Sequence, residues 1–218
     1  MPLQNRVTPF GDLVATATRG TLMGNRGGRI HDAARMLSRR RWASAAWICC
    51  RLAFKERHRA VWGAGYTELF FLDEPTALSA GHRPCFECRR ADALAFAAAW
   101  ARADGGRERA RAPQMDRVLH LERLAAPERR PQPTDTRALP DGAFVAFRDA
   151  PEEAFAVRGE RLLAWTPAGY AGTRAHEDAR PCRVLTPPHI VAVLAAGYHP
   201  QWHPSADLAM RAAPSSGA

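Results

Sequence analysis

The chain is poor in lysine and has no long apolar runs. A single lysine, Lys55, accompanies thirty arginines among the 218 residues, which indicates a proteome biased towards arginine. No apolar run approaches the roughly 20 residues that a transmembrane helix needs, and the first ten residues lack the apolar stretch of a signal peptide. We therefore expect no membrane partner and a cytoplasmic location. The hydrophobic fraction of 46% is high enough for a folded core.

Acidic residues are scarce in one part of the chain only. Residues 1–62 contain twelve Lys or Arg against three Asp or Glu, whereas residues 63–218 contain nineteen of each. This imbalance predicts contact with a polyanion, and we expect nucleic acid, DNA rather than RNA, bound through its phosphates. The alternative is an ordinary solvated surface. The candidate contact residues are Arg26, Arg29, Arg39, Arg40, Arg41 and Arg51.

The five cysteines indicate a metal site. An odd number of cysteines without a secretion signal argues against a disulfide framework. Cys85 and Cys88 form a C-x-x-C turn, whose two thiolates can point at one ion. Cys49 and Cys50 supply the second half of a four-ligand site, so the expected cofactor is Zn²⁺. A redox-active pair is the alternative, but the turn lacks the sequence context of thioredoxins.

Cys49 and Cys50 are adjacent, which complicates a site with four sulfur ligands. Neighbouring side chains on an extended strand point to opposite faces, so we expect one of the two to be a ligand and the other to be uncertain. A histidine then becomes a candidate for the fourth position. The candidates are His58, His31 and His82.

The pattern of apolar residues predicts an α+β protein. Residues 47–54 and 67–72 have the character of strands, and Asp73 is a candidate N-cap for a helix that ends at Gly81. An alanine-rich stretch predicts a helix over 90–102, a shorter basic helix is expected over 31–41, and the glycine-rich residues 20–29 suggest a loop. We expect a zinc-binding module over residues 1–103, a helix and a Pro- and Arg-rich linker over 104–137, and a small mixed strand and helix region over 138–218.

Residues 67–90, TELFFLDEPTALSAGHRPCFECRR, resemble the metal-binding domain of the Ada DNA-repair methyltransferase. The shared features are a strand, a helix ending in Ala-Gly, and Arg-Pro-Cys followed by two residues and a second cysteine. The resemblance extends loosely to about residues 48–95. It implies one zinc ion held by four cysteines, with Cys85 and Cys88 as the second pair and Cys49 or Cys50 in the first. It also implies binding to the DNA backbone.

Three functions are consistent with these features. The first is a zinc protein that contacts nucleic acid, in DNA repair or regulation. The second is a zinc-dependent enzyme of hydrolase type, which needs three protein ligands and an open metal position. Glu56, Asp73 and Glu87 are then candidate bases, although we prefer surface charge and helix capping as the account of these residues. The third is a structural or interaction protein in which zinc only stabilises the fold.

Overall fold

The computed structural model describes residues 1–56, 60–125, 133, 135–176 and 180–213. Those residues form two β-sheets and five α-helices, which confirms the α+β class. None of the described helices is long and apolar enough to cross a membrane.

The first sheet contains six short strands from the N-terminal part of the chain. Its order is β2-β1-β5-β3-β4-β6, with parallel pairing between β1 and β5 and between β4 and β6 and antiparallel pairing elsewhere. The strands are β1 (Arg6–Val7), β2 (Leu13–Val14), β3 (Leu22–Arg26), β4 (Trp47–Arg51), β5 (Leu69–Phe71) and β6 (Arg83–Pro84).

The second sheet is antiparallel throughout and comes from the C-terminal part of the chain. Its order is β10-β9-β8-β7-β11. The strands are β7 (Phe144–Phe147), β8 (Ala150–Arg158), β9 (Arg161–Thr166), β10 (Gly169–Ala175) and β11 (Cys182–Val184).

The helices begin and end at residues with the expected chemistry. In α1 (Glu74–Ser79) the Asp73 side chain accepts a hydrogen bond from the Thr76 amide, and Gly81 follows the helix with a φ of +80°. The predicted helix at 90–102 is α2 (Arg90–Ala103). The other helices are α3 (Ala112–Leu124), α4 (Pro188–Ala195) and α5 (Ser205–Arg211).

One hydrophobic cluster joins helices from all three predicted segments of the chain. Phe96 and Trp100 of α2 pack with Met115 of α3 and with Ile190 of α4. A separate cluster lies between the first sheet and α1, where Leu69, Cys49 and Ala77 are fully buried. The first sheet therefore has one face on a core, and its other face is free to form a site.

Two segments differ from the local prediction. Residues 22–26 form a central strand instead of a loop, and a Cβ at Gly24 would lie 2.1 Å from the Ile48 carbonyl oxygen. Glycine is therefore required there by close approach of two backbones and not by a turn. Residues 31–41 contain no helix, since the segment folds back through a bridge between His31 and Leu37.

Candidate metal centre

The pleat of β4 separates the two adjacent cysteines. Side chains alternate between the faces of a strand, so Trp47 and Cys49 point into the protein while Ile48 and Cys50 lie on the other face. Cys49 is fully buried, whereas Cys50 is only partly so. A single strand thus directs one thiol to the core and one to a site.

The C-x-x-C turn is held against this strand by backbone pairing. Strand β6 runs parallel to β4 with Pro84 opposite Cys49, and the Cys85 amide donates to the Cys49 carbonyl oxygen at 3.0 Å. The turn then leads into α2, where the Arg89 amide donates to the Cys85 carbonyl oxygen at 3.0 Å. These bonds fix the turn beside Cys50.

The sulfur atoms of Cys50, Cys85 and Cys88 lie within 4.8 Å of one another. Zn–S bonds of about 2.3 Å in a tetrahedral site place ligand sulfurs about 3.8 Å apart, so the group fits three corners of such a site with little movement. The Glu87 amide donates to the Cys85 sulfur at 3.4 Å. Amide donors of this kind stabilise metal-bound thiolates. The three cysteines therefore form a group that could hold a metal ion.

The hydrogen bonds among the three cysteines shift the pKa values of their thiols in different directions. The Cys50 thiol donates to Cys85 and lowers the pKa of Cys85 to about 5, against the effect of burial, while the amides of Cys88 and Glu87 add to the lowering. Cys50 also lowers the pKa of Cys88, and the Arg51 amide contributes in the same direction. The pKa of Cys50 itself is raised, because its proton is shared with the other two sulfurs. Cys85 and Cys88 are thus prepared to act as anionic ligands.

Cys49 is not a member of this group. Its sulfur accepts a hydrogen bond of 3.0 Å from Nη1 of Arg89, and burial raises its pKa. The adjacent cysteines divide as the pleat requires, and the structure identifies Cys50 as the one that joins the pair. The structure thus brings together three of the cysteines, whereas the resemblance implies four as ligands.

The structure describes two of the three candidate histidines, His31 and His82. His31 stacks on Trp62, and its ring nitrogens bond Thr67 Oγ1 at 2.6 Å and the Gly63 carbonyl oxygen at 3.0 Å. His82 is fully buried between Trp47 and Phe71. Neither belongs to the three-cysteine group. His58 lies outside the described residues.

A cleft of about 480 Å³ opens onto the cysteines. Its floor is the outward face of the first sheet, where Met23 stands between Cys50 and Phe70 in register. Ile48, Leu52, Val61 and Tyr66 add apolar walls, and Arg19, Asn25, Arg51, Glu68 and Glu87 add polar groups. A concave apolar site with a few convergent polar groups is the usual form of a ligand pocket.

Several of these residues are not evident from the sequence. Glu68 is buried, and its Oε2 accepts a hydrogen bond of 2.7 Å from the Trp62 amide. Glu68 directly precedes β5, two positions before Phe70. If the alternation of the strand is extended by one residue, it places both side chains on one face. Of the predicted bases, Glu87 lines the cleft, Asp73 is a buried helix cap and Glu56 is exposed.

The predicted nucleic-acid contacts differ in their exposure and in the cavities they line. Arg51 is exposed at the cleft, and Arg29, Arg39, Arg40 and Arg41 are exposed elsewhere. Arg26 differs from the prediction because it is buried, with 3% of its surface exposed. The reason is that β3 is an interior strand, which turns Arg26 against Trp47.

No protein family, curated protein or solved structure matches this chain.

Proposed function

We propose that this protein is a zinc-dependent enzyme of hydrolase type. In this proposal Cys50, Cys85 and Cys88 hold one Zn²⁺ ion, and the fourth coordination position faces the cleft. The single observation that carries it is that, among the described residues, three sulfurs converge at a cleft without a fourth ligand, while Cys49 points into the core. Structural zinc sites are closed by four protein ligands, whereas catalytic sites retain an open position.

The cleft supports binding of a small organic substrate with an apolar portion. Met23, Ile48 and Phe70 offer an apolar floor beside the sulfurs. Glu68 and Glu87 are the two carboxylates of the cleft, and either can accept a proton from a bound group. A zinc ion with an open position supplies Lewis acidity at this place.

Metal analysis combined with cobalt substitution tests the proposal. We expect one zinc per chain, with X-ray absorption giving three sulfur neighbours and one lighter atom. In the Co²⁺-substituted protein, cyanide or a small thiol should enter the open position and shift the visible absorption bands. Cys49→Ser is the matched control and should give the same response as the wild type. Four sulfur neighbours, or bands that do not respond to added ligand, would overturn the open-site proposal.

A second candidate function is nucleic-acid binding through exposed arginines. Among the residues that the structure describes, Arg29, Arg39 and Arg40 are exposed and take part in no ion pair. Such cations are available to phosphates, and the segment that carries them has the basic excess of the chain. DNA is the expected partner, as in the Ada-like resemblance.

Salt-dependent DNA binding checks this second candidate. Each phosphate contact contributes about −0.9 to the slope of log K against log salt, so changing Arg29, Arg39 and Arg40 to Gln should reduce the slope by about 3. The control changes three exposed arginines from the other part of the chain, Arg107, Arg109 and Arg117. Equal losses in both triple variants, or no binding at low salt, would remove nucleic acid as a partner.

A further inference from the structure

A second cavity, of about 210 Å³, lies on the core side of β4. Trp47 lines this cavity, whereas Ile48 and Cys50 line the cysteine cleft, in keeping with the pleat of the strand. No described residue lines both. Its charged lining residues are Asp12, Arg26, Arg41 and Arg123.

Trp47 is in contact with two guanidinium groups at once. The guanidinium carbon of Arg26 lies 4.1 Å from the centre of its ring, and that of Arg123 lies 4.2 Å from it. Cation–π contacts of this kind are attractive. They orient the two side chains, but they do not neutralise two positive charges.

The charge of Arg26 forms no ion pair within the described residues. Its side chain makes one hydrogen bond among the described residues, from Nη2 to the Gly11 carbonyl oxygen at 2.7 Å. Its Nε is buried and has no hydrogen-bond acceptor. Burial, followed by repulsion from Arg123 and Arg41, lowers the pKa of Arg26 to about 9, so the side chain stays charged at neutral pH.

Arg123 is held only by backbone oxygens. Its nitrogens donate to the carbonyls of Ala45 and Leu119 at 2.9 Å and of Gly81 at 3.2 Å. It forms no ion pair within the described part of the chain. Burial lowers its pKa to about 10, which again leaves it charged at neutral pH.

The nearby acids compensate for these charges only in part. Asp12 attracts Arg26. Asp116 and Glu122 attract Arg123, but Asp116 is paired with Arg83 and Glu122 contacts His189. His82 packs against the same indole, but burial holds its pKa well below the ordinary value and keeps it neutral. Asp12 is the one acid that lines the cavity, and its carboxylate is not within ion-pair distance of Arg26. With Arg41 at the rim, three positive charges face one negative charge. Buried charges without a counter-charge are costly, so a bound anion would stabilise the cavity.

We propose that this cavity binds a phosphate group in its dianionic form. Guanidinium groups are suited to phosphate oxygens because they donate paired, charge-assisted hydrogen bonds. Arginines from three separate segments approach one small space, which suits a tetrahedral group better than a planar carboxylate. The balance of two positive charges matches a dianion, as in inorganic phosphate or a phosphate monoester.

Phosphate binding to the full, metal-loaded chain tests the proposal. Calorimetry in phosphate-free buffer should detect inorganic phosphate, and thermal unfolding should show stabilisation beyond that of chloride at equal ionic strength. Arg41→Gln should weaken phosphate binding about ten-fold, because it removes one charge-assisted contact from the exposed rim. The matched control is Arg39→Gln, an exposed arginine that does not line the cavity. Asp12→Asn should strengthen binding several-fold, since it removes repulsion.

Two further arms identify the phosphate source and separate this site from the metal centre. Methyl phosphate should bind like inorganic phosphate, and dimethyl phosphate, a monoanion, should bind more weakly. Cys50→Ser should leave phosphate affinity unchanged even if the zinc proposal fails. Phosphate that stabilises no more than chloride, or equal losses in Arg41→Gln and Arg39→Gln, would overturn the proposal.

Discussion

At the scale of single residues, the two neighbouring cysteines have separate roles because they occupy opposite faces of β4. Cys50 contributes a sulfur to the group that could hold a metal, and Cys49 receives the Arg89 guanidinium in the core. The sequence predicts that one of the two is a ligand. It could not decide which one, because the choice depends on which face of the sheet is covered.

Metal content should distinguish the two cysteines. Cys50→Ser removes one of three sulfurs, so we expect the purified variant to lose most of its zinc. Cys49→Ser should keep one zinc per chain but lose about 1–2 kcal/mol of stability, because a buried sulfur and its hydrogen bond are altered. Elemental analysis and urea unfolding of both variants give the measurement. If both serine variants lost their zinc equally, the assignment of Cys50 alone would be wrong.

At the scale of elements, Arg89 connects the pieces that carry the site. Its Nη1 donates to Cys49 of β4, its Nη2 pairs with Glu74 of α1 at 2.8 Å, and its Nε pairs with Asp92 of α2 at 2.9 Å. The Arg89 and Glu74 side chains are 1% and 0% exposed. Because Arg89 directly follows Cys88, this network fixes the end of the C-x-x-C turn.

Breaking the Arg89 network should be strongly destabilising. Arg89→Met leaves the Glu74 carboxylate buried without its charge partner, and removal of one member of such a pair costs about 3–5 kcal/mol. The double variant Arg89→Met, Glu74→Gln should recover part of that loss, since no charge then remains buried. Urea unfolding of the two variants measures the difference. A cost below about 1 kcal/mol in the single variant would show that the ion pair does not hold these elements together.

Gly24 offers a second test at the level of the sheet. A methyl group there would lie 2.1 Å from the Ile48 carbonyl oxygen and 2.8 Å from the Phe71 ring, so Gly24→Ala must displace a neighbouring strand. We expect a loss of at least about 3 kcal/mol, or failure to fold. Gly172→Ala is the matched control, because a Cβ at that strand position meets nothing within 4 Å. Thermal unfolding of both variants should show a large effect at Gly24 and a small one at Gly172.

The helices could be predicted from sequence more fully than the first sheet. The limits of α1 follow from Asp73 and Gly81, and α2 follows from alanine-rich composition, both of which are local signals. Strand β3 depends on pairing with β4 and β5 across long sequence separations, which no local pattern reveals. The helix expected at residues 31–41 fails for the same reason, since His31 is anchored by distant Thr67 and Trp62.

At the scale of the whole molecule, the N-cap and the first residue of α1 contact the C-terminal segment, here residues 170–203. The Glu74 carboxylate accepts hydrogen bonds from the Tyr198 hydroxyl at 2.7 Å and the Gln201 amide at 2.9 Å. Asp73 accepts from the Tyr170 hydroxyl at 2.8 Å and the His203 amide at 3.1 Å. Glu74 also pairs with Arg89, so the cysteine turn and the C-terminal segment share one buried carboxylate. The stability of the site is therefore coupled to that of the complete fold.

Removal of the metal should consequently destabilise the entire chain. A ligand present at a thousand times its dissociation constant contributes about 4 kcal/mol to stability, which for a chain of this size is a change in Tm of about 8–16 °C. We expect a chelator to produce that decrease, and calorimetry should show one unfolding transition before and after treatment. Cys49→Ser should respond to the chelator like the wild type, whereas Cys50→Ser should start at the lower Tm and respond little. An unchanged Tm after complete loss of zinc would contradict this prediction. It would show that metal binding by the three sulfurs is not coupled to the stability of the fold.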